Sequence, residues 1–168
     1  MRDDSLLVPA IAIFAGIIGL VTWPFIAIFL HELGHATTAK LIGLAPTHLI
    51  IGHPDESDPL FSFRSFGCSV ECWPLPFGGA TIFATPPTER FKIFIITIGG
   101  PVVDGCVIFI CLLLWQHTFL RVGLGFIILS QSINILRNLI PVSALYAGVR
   151  VPTDGKVILQ LLARKRQT

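Results

Sequence analysis

The segment His31-Glu32-Leu33-Gly34-His35 has the residue types and the spacing needed to bind a metal ion. Two histidines four residues apart lie on one face of a helix, one turn above each other, so both imidazoles can reach the same ion. Glu32 directly follows the first histidine, so its carboxylate can face a metal-bound water and accept its proton. This arrangement is typical of zinc hydrolases. It predicts a zinc site with His31 and His35 as ligands and Glu32 as general base.

An alternative is a helix whose histidines only pack against or cap neighbouring groups. The preceding segment argues against that alternative, because residues Leu6 to Leu30 contain no Asp, Glu, Lys, Arg or His. A cluster of ionisable side chains at the end of such an apolar run is costly in lipid, and such clusters are functional by default. The sequence therefore favours a metal site.

The composition indicates an integral membrane protein with a single domain. The chain has 168 residues, of which 13% are charged, and its mean hydropathy is +0.78. These values are far from those of a soluble globular protein, and nothing in the sequence indicates a nucleic-acid partner. The four cysteines do not have the pattern of a disulfide framework. A second zinc site at Cys68 and Cys72 would need two further ligands, and no neighbouring pair supplies them.

About four membrane-spanning helices are predicted to position the motif. The apolar segment that ends at Gly43 is much longer than a hydrocarbon core of about 30 Å requires. Thr22-Trp23-Pro24 offers a break, since proline disfavours helical geometry at the residue before it. We expect helices over about 5–21, 24–43, 90–115 and 118–139. A single long kinked helix is the alternative to the first two.

Residues 44–89 differ from these helices because they contain short runs with strand character, separated by glycine and proline. We expect a small antiparallel sheet or pair of hairpins at the membrane surface, ending in Pro76-Phe77-Gly78-Gly79. A loop and a C-terminal helix over about 154–166 follow the last span. The predicted fold class is a mainly α, polytopic membrane protein with one domain over residues 1–168.

The distribution of positive charge predicts the orientation. With four spans and both termini in the cytoplasm, every Lys and Arg except Arg121 falls on or near the cytoplasmic side, as the positive-inside rule prefers. Three spans would instead place the two termini on opposite sides. We expect a multi-pass protein of a bacterial plasma membrane.

Several segments, taken in order, resemble the site-2 protease family of intramembrane zinc metalloproteases, and the chain is similar to a minimal member without a PDZ domain. Together they extend over roughly residues 24 to 158. The matching segments are His31-Glu32-Leu33-Gly34-His35, Pro76-Phe77-Gly78-Gly79, Gly99-Gly100-Pro101, Asn138-Leu139-Ile140-Pro141 and Asp154-Gly155.

The resemblance implies a role for each matching polar residue. His31, His35 and Asp154 would hold Zn²⁺, Glu32 would be the general base, and Asn138 would position substrate or stabilise the oxyanion. Asp154 would supply the third protein ligand that a catalytic zinc requires. Its alternative role is that of a helix N-cap.

Two departures from the family pattern keep the third ligand open. Residues Val142 to Thr153 separate the Asn-x-x-Pro segment from Asp154, whereas the family usually has only a few residues there. Asp104 stands where the family often has Asn, three residues after the proline. Asp104 is therefore a rival third ligand or a partner of the site.

Two functions follow from these residues. The first is an intramembrane endopeptidase that cleaves a transmembrane segment of another protein within the lipid bilayer. The second is a zinc-binding membrane scaffold or assembly factor without turnover. Glu32 favours the first, because a purely structural zinc site needs no general base. The sequence does not indicate the substrate or the oligomeric state.

Overall fold

The computed structural model describes residues 7–54, 58–116, 121–146 and 149–164. Four helices and six strands occur within these ranges. In chain order they are α1 (Leu7–Leu41), β1 (Pro46–Ile51), β2 (Phe61–Ser65), β3 (Cys68–Cys72), β4 (Gly79–Phe83), α2 (Arg90–Leu114), α3 (Arg121–Leu139), β5 (Ser143–Tyr146), β6 (Val149–Pro152) and α4 (Asp154–Arg164). The predicted class, a helical membrane protein with a small inserted sheet, is confirmed.

The first two predicted helices are one continuous helix, α1, which contains Pro24. The break expected at Thr22-Trp23-Pro24 is absent, so the single-helix alternative describes this segment. Ending a helix in apolar surroundings would leave several backbone groups without partners, whereas an internal proline removes only one helical hydrogen bond. The hydroxyl of Thr22 also donates to the carbonyl of Ile18 at 2.8 Å.

Three helical segments in the described ranges are long and apolar enough to cross a membrane: Gly16–Leu41, Arg90–Leu114 and Arg121–Leu139. Their outward faces carry large apolar side chains, and Val122 is 90% exposed. Such faces suit contact with lipid rather than water. Four spans with both termini in the cytoplasm were expected, whereas three spans would place the termini on opposite sides, so the location of the termini stays untested.

The inserted sheet has four strands in the order β2-β3-β1-β4. It is mixed rather than purely antiparallel, because β1 runs parallel to β3 and antiparallel to β4. The strand β4 was not expected, because the sheet was predicted to end in Pro76-Phe77-Gly78-Gly79, whereas β4 begins at Gly79. As the last strand in the order, β4 has one edge that no other described strand pairs with.

Cys68 and Cys72 belong to the apolar core beneath this sheet. Together with Val70 they occupy the buried face of β3 and pack in a cluster with Leu49 and Ala36. Burial raises the pKa of both thiols. Protonated, buried thiols behave as small apolar side chains, and this placement gives no support to a second zinc site.

Candidate active site

Three acceptor atoms from two distant parts of the chain form a compact triangle. Nε2 of His31 lies 3.2 Å from Nε2 of His35 and 3.2 Å from Oδ2 of Asp154. The third side, from Nε2 of His35 to Oδ2 of Asp154, measures 3.5 Å. Ligands about 2.0–2.1 Å from a tetrahedral metal ion are about 3.3 Å from one another. The triangle therefore has the dimensions of one face of a tetrahedral metal site.

The opposite nitrogen of each imidazole determines what this triangle can bind. Nδ1 of His31 donates to Oδ2 of Asp104 at 2.7 Å, and Nδ1 of His35 donates to the carbonyl of Ile96 at 2.7 Å. Because a carboxylate and a carbonyl only accept, each neutral ring carries its proton on Nδ1 and has a lone pair on Nε2. Two lone pairs and the oxygen of Asp154 thus face one another, an arrangement that a bound cation would satisfy.

The structure places Asp154 at one corner of the triangle. It places Asp104 on the opposite side of the His31 ring, at Nδ1. Asp104 is completely buried and contacts the Nδ1 side of His31, whereas the side chain of Asp154 is 17% exposed and contacts the Nε2 side. Asp104 is therefore placed as a partner of His31.

The twelve residues between Val142 and Thr153 do not move Asp154 away from the site. The described residues of this segment form the antiparallel strand pair β5–β6 (the β5–β6 hairpin), so the two ends of the segment meet again. The backbone N–H of Thr153 donates to the carbonyl of Val142 at 3.0 Å, and its hydroxyl donates to the carbonyl of Ile140 at 2.6 Å. Asp154 consequently starts α4 directly beside the end of α3.

Glu32 is buried and is held by β4. The hydroxyl of Thr81 donates to Oε2 of Glu32 at 2.8 Å and lies 3.1 Å from its backbone carbonyl. A Cβ atom added to Gly79 would lie 2.7 Å from Oε1 of Glu32, so only glycine allows this close approach. The carboxylate also belongs to a group with His31 and His35 whose ligand atoms lie within 4.8 Å of one another.

Sequence reasoning missed Thr81. The short β-branched and aromatic run after Gly79 was the signal that could have revealed a strand there. It could not reveal that this strand crosses the glutamate of α1, because that contact joins residues 49 positions apart.

The last turns of α3 contribute amide groups to the site. Nδ2 of Asn138 lies 3.2 Å from Nε2 of His31, at the open side of the triangle. One turn earlier, Asn134 donates to Oδ2 of Asp104 at 3.0 Å and accepts from Arg137 at 3.1 Å. Asn134 and Asn138 are four residues apart, so they lie on the same face of the helix. That spacing was the signal for Asn134.

Glycines allow α2 to approach the motif on α1. A Cβ atom on Gly99 would lie 2.6 Å from the carbonyl oxygen of Gly34, where the two helices cross. A Cβ atom on Gly100 would lie 2.6 Å from Nε2 of His35 and 2.7 Å from Nε2 of His31. The backbone of α2 thus forms a wall of the candidate metal site.

Two adjoining cavities, of about 430 and 210 Å³, open onto the candidate site. Both are lined by His31, Glu32, Gly79, Asn138, Val151, Pro152 and Thr153. The larger cavity extends toward Phe77 and Val142, and the smaller one toward Phe83 and Thr97. The candidate site therefore lies within a cleft that continues on both sides of it.

Apolar helices around a buried His-Glu-His group and an open cleft define a membrane protein with a candidate metal centre. Residues 19–139, more than half of the chain, match the family model of peptidase family M50. The chain belongs to this family, the site-2 protease family of metalloproteases. Asp154 lies beyond the matched residues. No curated protein matches the chain.

Proposed function

We propose that this protein is an intramembrane zinc endopeptidase that hydrolyses a peptide bond in or near a transmembrane segment of another protein. The observation that carries the proposal is the triangle of two Nε2 atoms and one carboxylate oxygen, with Glu32 beside it. Two imidazole nitrogens and one carboxylate oxygen are a donor set that zinc accepts, with a fourth position left open. His31, His35 and Asp154 would hold the ion.

The chain's own residues supply the acid–base and positioning steps. When bound, zinc would supply Lewis acidity toward a water molecule and the scissile carbonyl. The hydrogen bond from Thr81 engages Oε2 of Glu32, which leaves Oε1 to accept the proton of the attacking water. Asn138 can donate from its amide nitrogen to the negative oxygen that develops on the carbonyl.

The substrate has to reach this cleft in an extended conformation, because a helix keeps its carbonyl groups in internal hydrogen bonds. The free edge of β4 supports such binding, since an added strand pairs with an unpaired sheet edge. β4 runs directly past Glu32, and its residues Gly79 and Thr81 line the cleft. We propose that an unwound membrane segment pairs with this edge and crosses the metal site.

The second candidate, a zinc-binding scaffold without turnover, accounts for fewer observations. Structural zinc sites are closed by four protein ligands, whereas catalytic sites keep one position open. Here a cleft reaches the triangle from both sides. A carboxylate fixed by Thr81 also has no purpose in a purely structural site.

The substitution Glu32→Gln tests the proposal. We expect the variant to keep stoichiometric zinc and to lose cleavage of a membrane-peptide substrate to background, because it removes the proton acceptor and leaves the ligands. Metal content and cleavage are measured on the same detergent-solubilised preparation. Glu89→Gln is the matched control, since Glu89 is exposed, lies outside the candidate site and pairs with Lys92.

Two results would contradict this assignment. Loss of zinc in Glu32→Gln would make Glu32 a ligand rather than a base. Cleavage at the unchanged rate would rule out the proposed mechanism.

A further inference from the structure

The hairpin β5–β6 lies at the cleft although no residue of its strands is a candidate ligand or base. It is anchored at its base by Thr153, as described above, and by the ammonium of Lys156, which donates to the hydroxyl of Ser143 at 2.7 Å. Because α4 carries Lys156 and begins at Asp154, the hairpin is held in a defined position relative to the candidate metal site.

The two walls of the cleft come from different strands. Gly79 from β4 and Val151 and Pro152 from β6 line both cavities. The strands β4 and β6 belong to separate sheets and are not paired with each other. Both cavities are also lined by His31 and Glu32, so the candidate metal site borders the space between the two strands.

The chemistry of these two walls differs. The free edge of β4 presents backbone donors and acceptors, which any extended peptide can use regardless of its sequence. Pro152 in β6 has no N–H and cannot donate in a ladder. The neighbouring side chains on this wall are apolar and accessible, with Val151 37% and Val142 50% exposed. β4 thus suits backbone recognition, and the hairpin suits recognition of apolar side chains.

We infer that the β5–β6 hairpin is the second wall of the substrate cleft and selects extended segments that place an apolar side chain against Val142 and Val151. The inference rests on the proposed function and names its substrate class. A membrane segment unwound at the site would present such side chains at nearly every position. Contact with the hairpin would compensate for the lipid contact that those side chains lose.

Binding by an inactive protein tests this inference separately from catalysis. The parent is Glu32→Gln, and the probe is a fluorescent transmembrane peptide with a polyleucine core, compared with a version that has serine at the central positions. Val151→Ala and Val142→Ala are made in this parent. Val122→Ala is the matched control, because it removes the same atoms from a residue at the start of α3, outside both cavities.

We expect Val151→Ala and Val142→Ala to weaken binding of the leucine peptide by about fivefold each, as loss of buried methyl contacts predicts. The affinity of the two hairpin variants for the serine version should stay within about twofold of the parent's affinity. Val122→Ala should bind both peptides as the parent does. Zinc content and thermal stability of each variant verify that the metal site and fold are intact.

Several outcomes separate this inference from the proposed function. Unchanged leucine-peptide binding in both hairpin variants would overturn the role of the hairpin, even if the wild type cleaves. Selective loss of leucine-peptide binding in the hairpin variants supports the proposed role of the hairpin, whether or not the wild-type protein cleaves the peptide. Absence of cleavage by the wild type would overturn the protease proposal. Failure of the parent to bind either peptide would overturn the inference.

Discussion

His31 is contacted on its two ring nitrogens by two carboxylates in contrasting surroundings. On the Nδ1 side, Asp104 of α2 is completely buried, contacts the ring at 2.7 Å and accepts a hydrogen bond from Asn134 of α3. On the Nε2 side, Asp154 borders the cleft and contacts the ring at 3.2 Å. One region of the molecule is therefore closed around the histidine, and the other is open to the cleft.

The two regions are built in different ways. The closed region consists of apolar helices whose glycines permit direct backbone contact, and hydrogen bonds from both Nδ1 atoms fix the orientation of the two rings. The open region consists of β4, the β5–β6 hairpin and the first residue of α4. Strands and turns leave space between their side chains and expose backbone groups, which suits binding of an extended chain. The closed region fixes the orientation of the histidine rings, and the open region borders the cleft that leads to them.

The largest expected effect is that of Gly100→Ala, which fills the contact between α2 and the histidines. The new Cβ would lie 2.6–2.7 Å from both Nε2 atoms, so we expect loss of zinc, loss of cleavage and a lower melting temperature. Gly105→Ala in the same helix is the control, because its Cβ would meet nothing within 4 Å. Alanine favours a helix over glycine, so this variant should be at least as stable as wild type. Equal zinc content in both variants would contradict this expectation, because it would show that α2 can move away from the histidines without loss of the metal.

The pair Asp154→Ala and Asp104→Asn compares the two carboxylates directly. We expect Asp154→Ala to lose zinc, because it removes one vertex of the triangle. Asp104→Asn should still bind zinc at saturating concentration, with affinity or activity lower by about 10–100-fold, as is typical when a hydrogen-bond partner of a ligand is changed. Zinc stoichiometry at equal free zinc distinguishes them. Full occupancy in Asp154→Ala with an empty site in Asp104→Asn would reverse the two assignments.

The smallest expected effect is that of Thr81→Val, which removes the hydroxyl that holds Glu32. We expect kcat to fall by about tenfold with little change in KM or zinc content, because a hydrogen bond to a charged group is lost. Thr81→Ser should restore most of the rate. Thr47→Val is the control, since the Thr47 hydroxyl donates to the carbonyl of Ile82 in the same sheet and not to Glu32. A change in KM alone would assign Thr81 to substrate binding rather than to positioning of the base.

The sequence by itself determined the features that depend on local geometry. The i,i+4 spacing of His31 and His35 places both rings on one helical face in any surroundings, so the candidate ligands and Glu32 could be named without the fold. The bounds of α2 and the end of α3 followed from long apolar runs, whereas the predicted start of α3 at residue 118 lies outside the described residues. The continuity of α1 through Pro24 could not be obtained this way, because it depends on the cost of unpaired backbone groups in apolar surroundings.

Only the tertiary structure decided how distant residues meet. Asp104 and Asp154 were both candidates in the sequence, and their placement on opposite nitrogens of His31 depends on how α2 and α4 pack. The contact of Thr81 with Glu32 likewise joins groups far apart in the chain, and the pairing of β5 with β6 brings Asp154 back beside the end of α3. Such contacts arise from packing and strand pairing rather than from local periodicity, so no spacing rule encodes them.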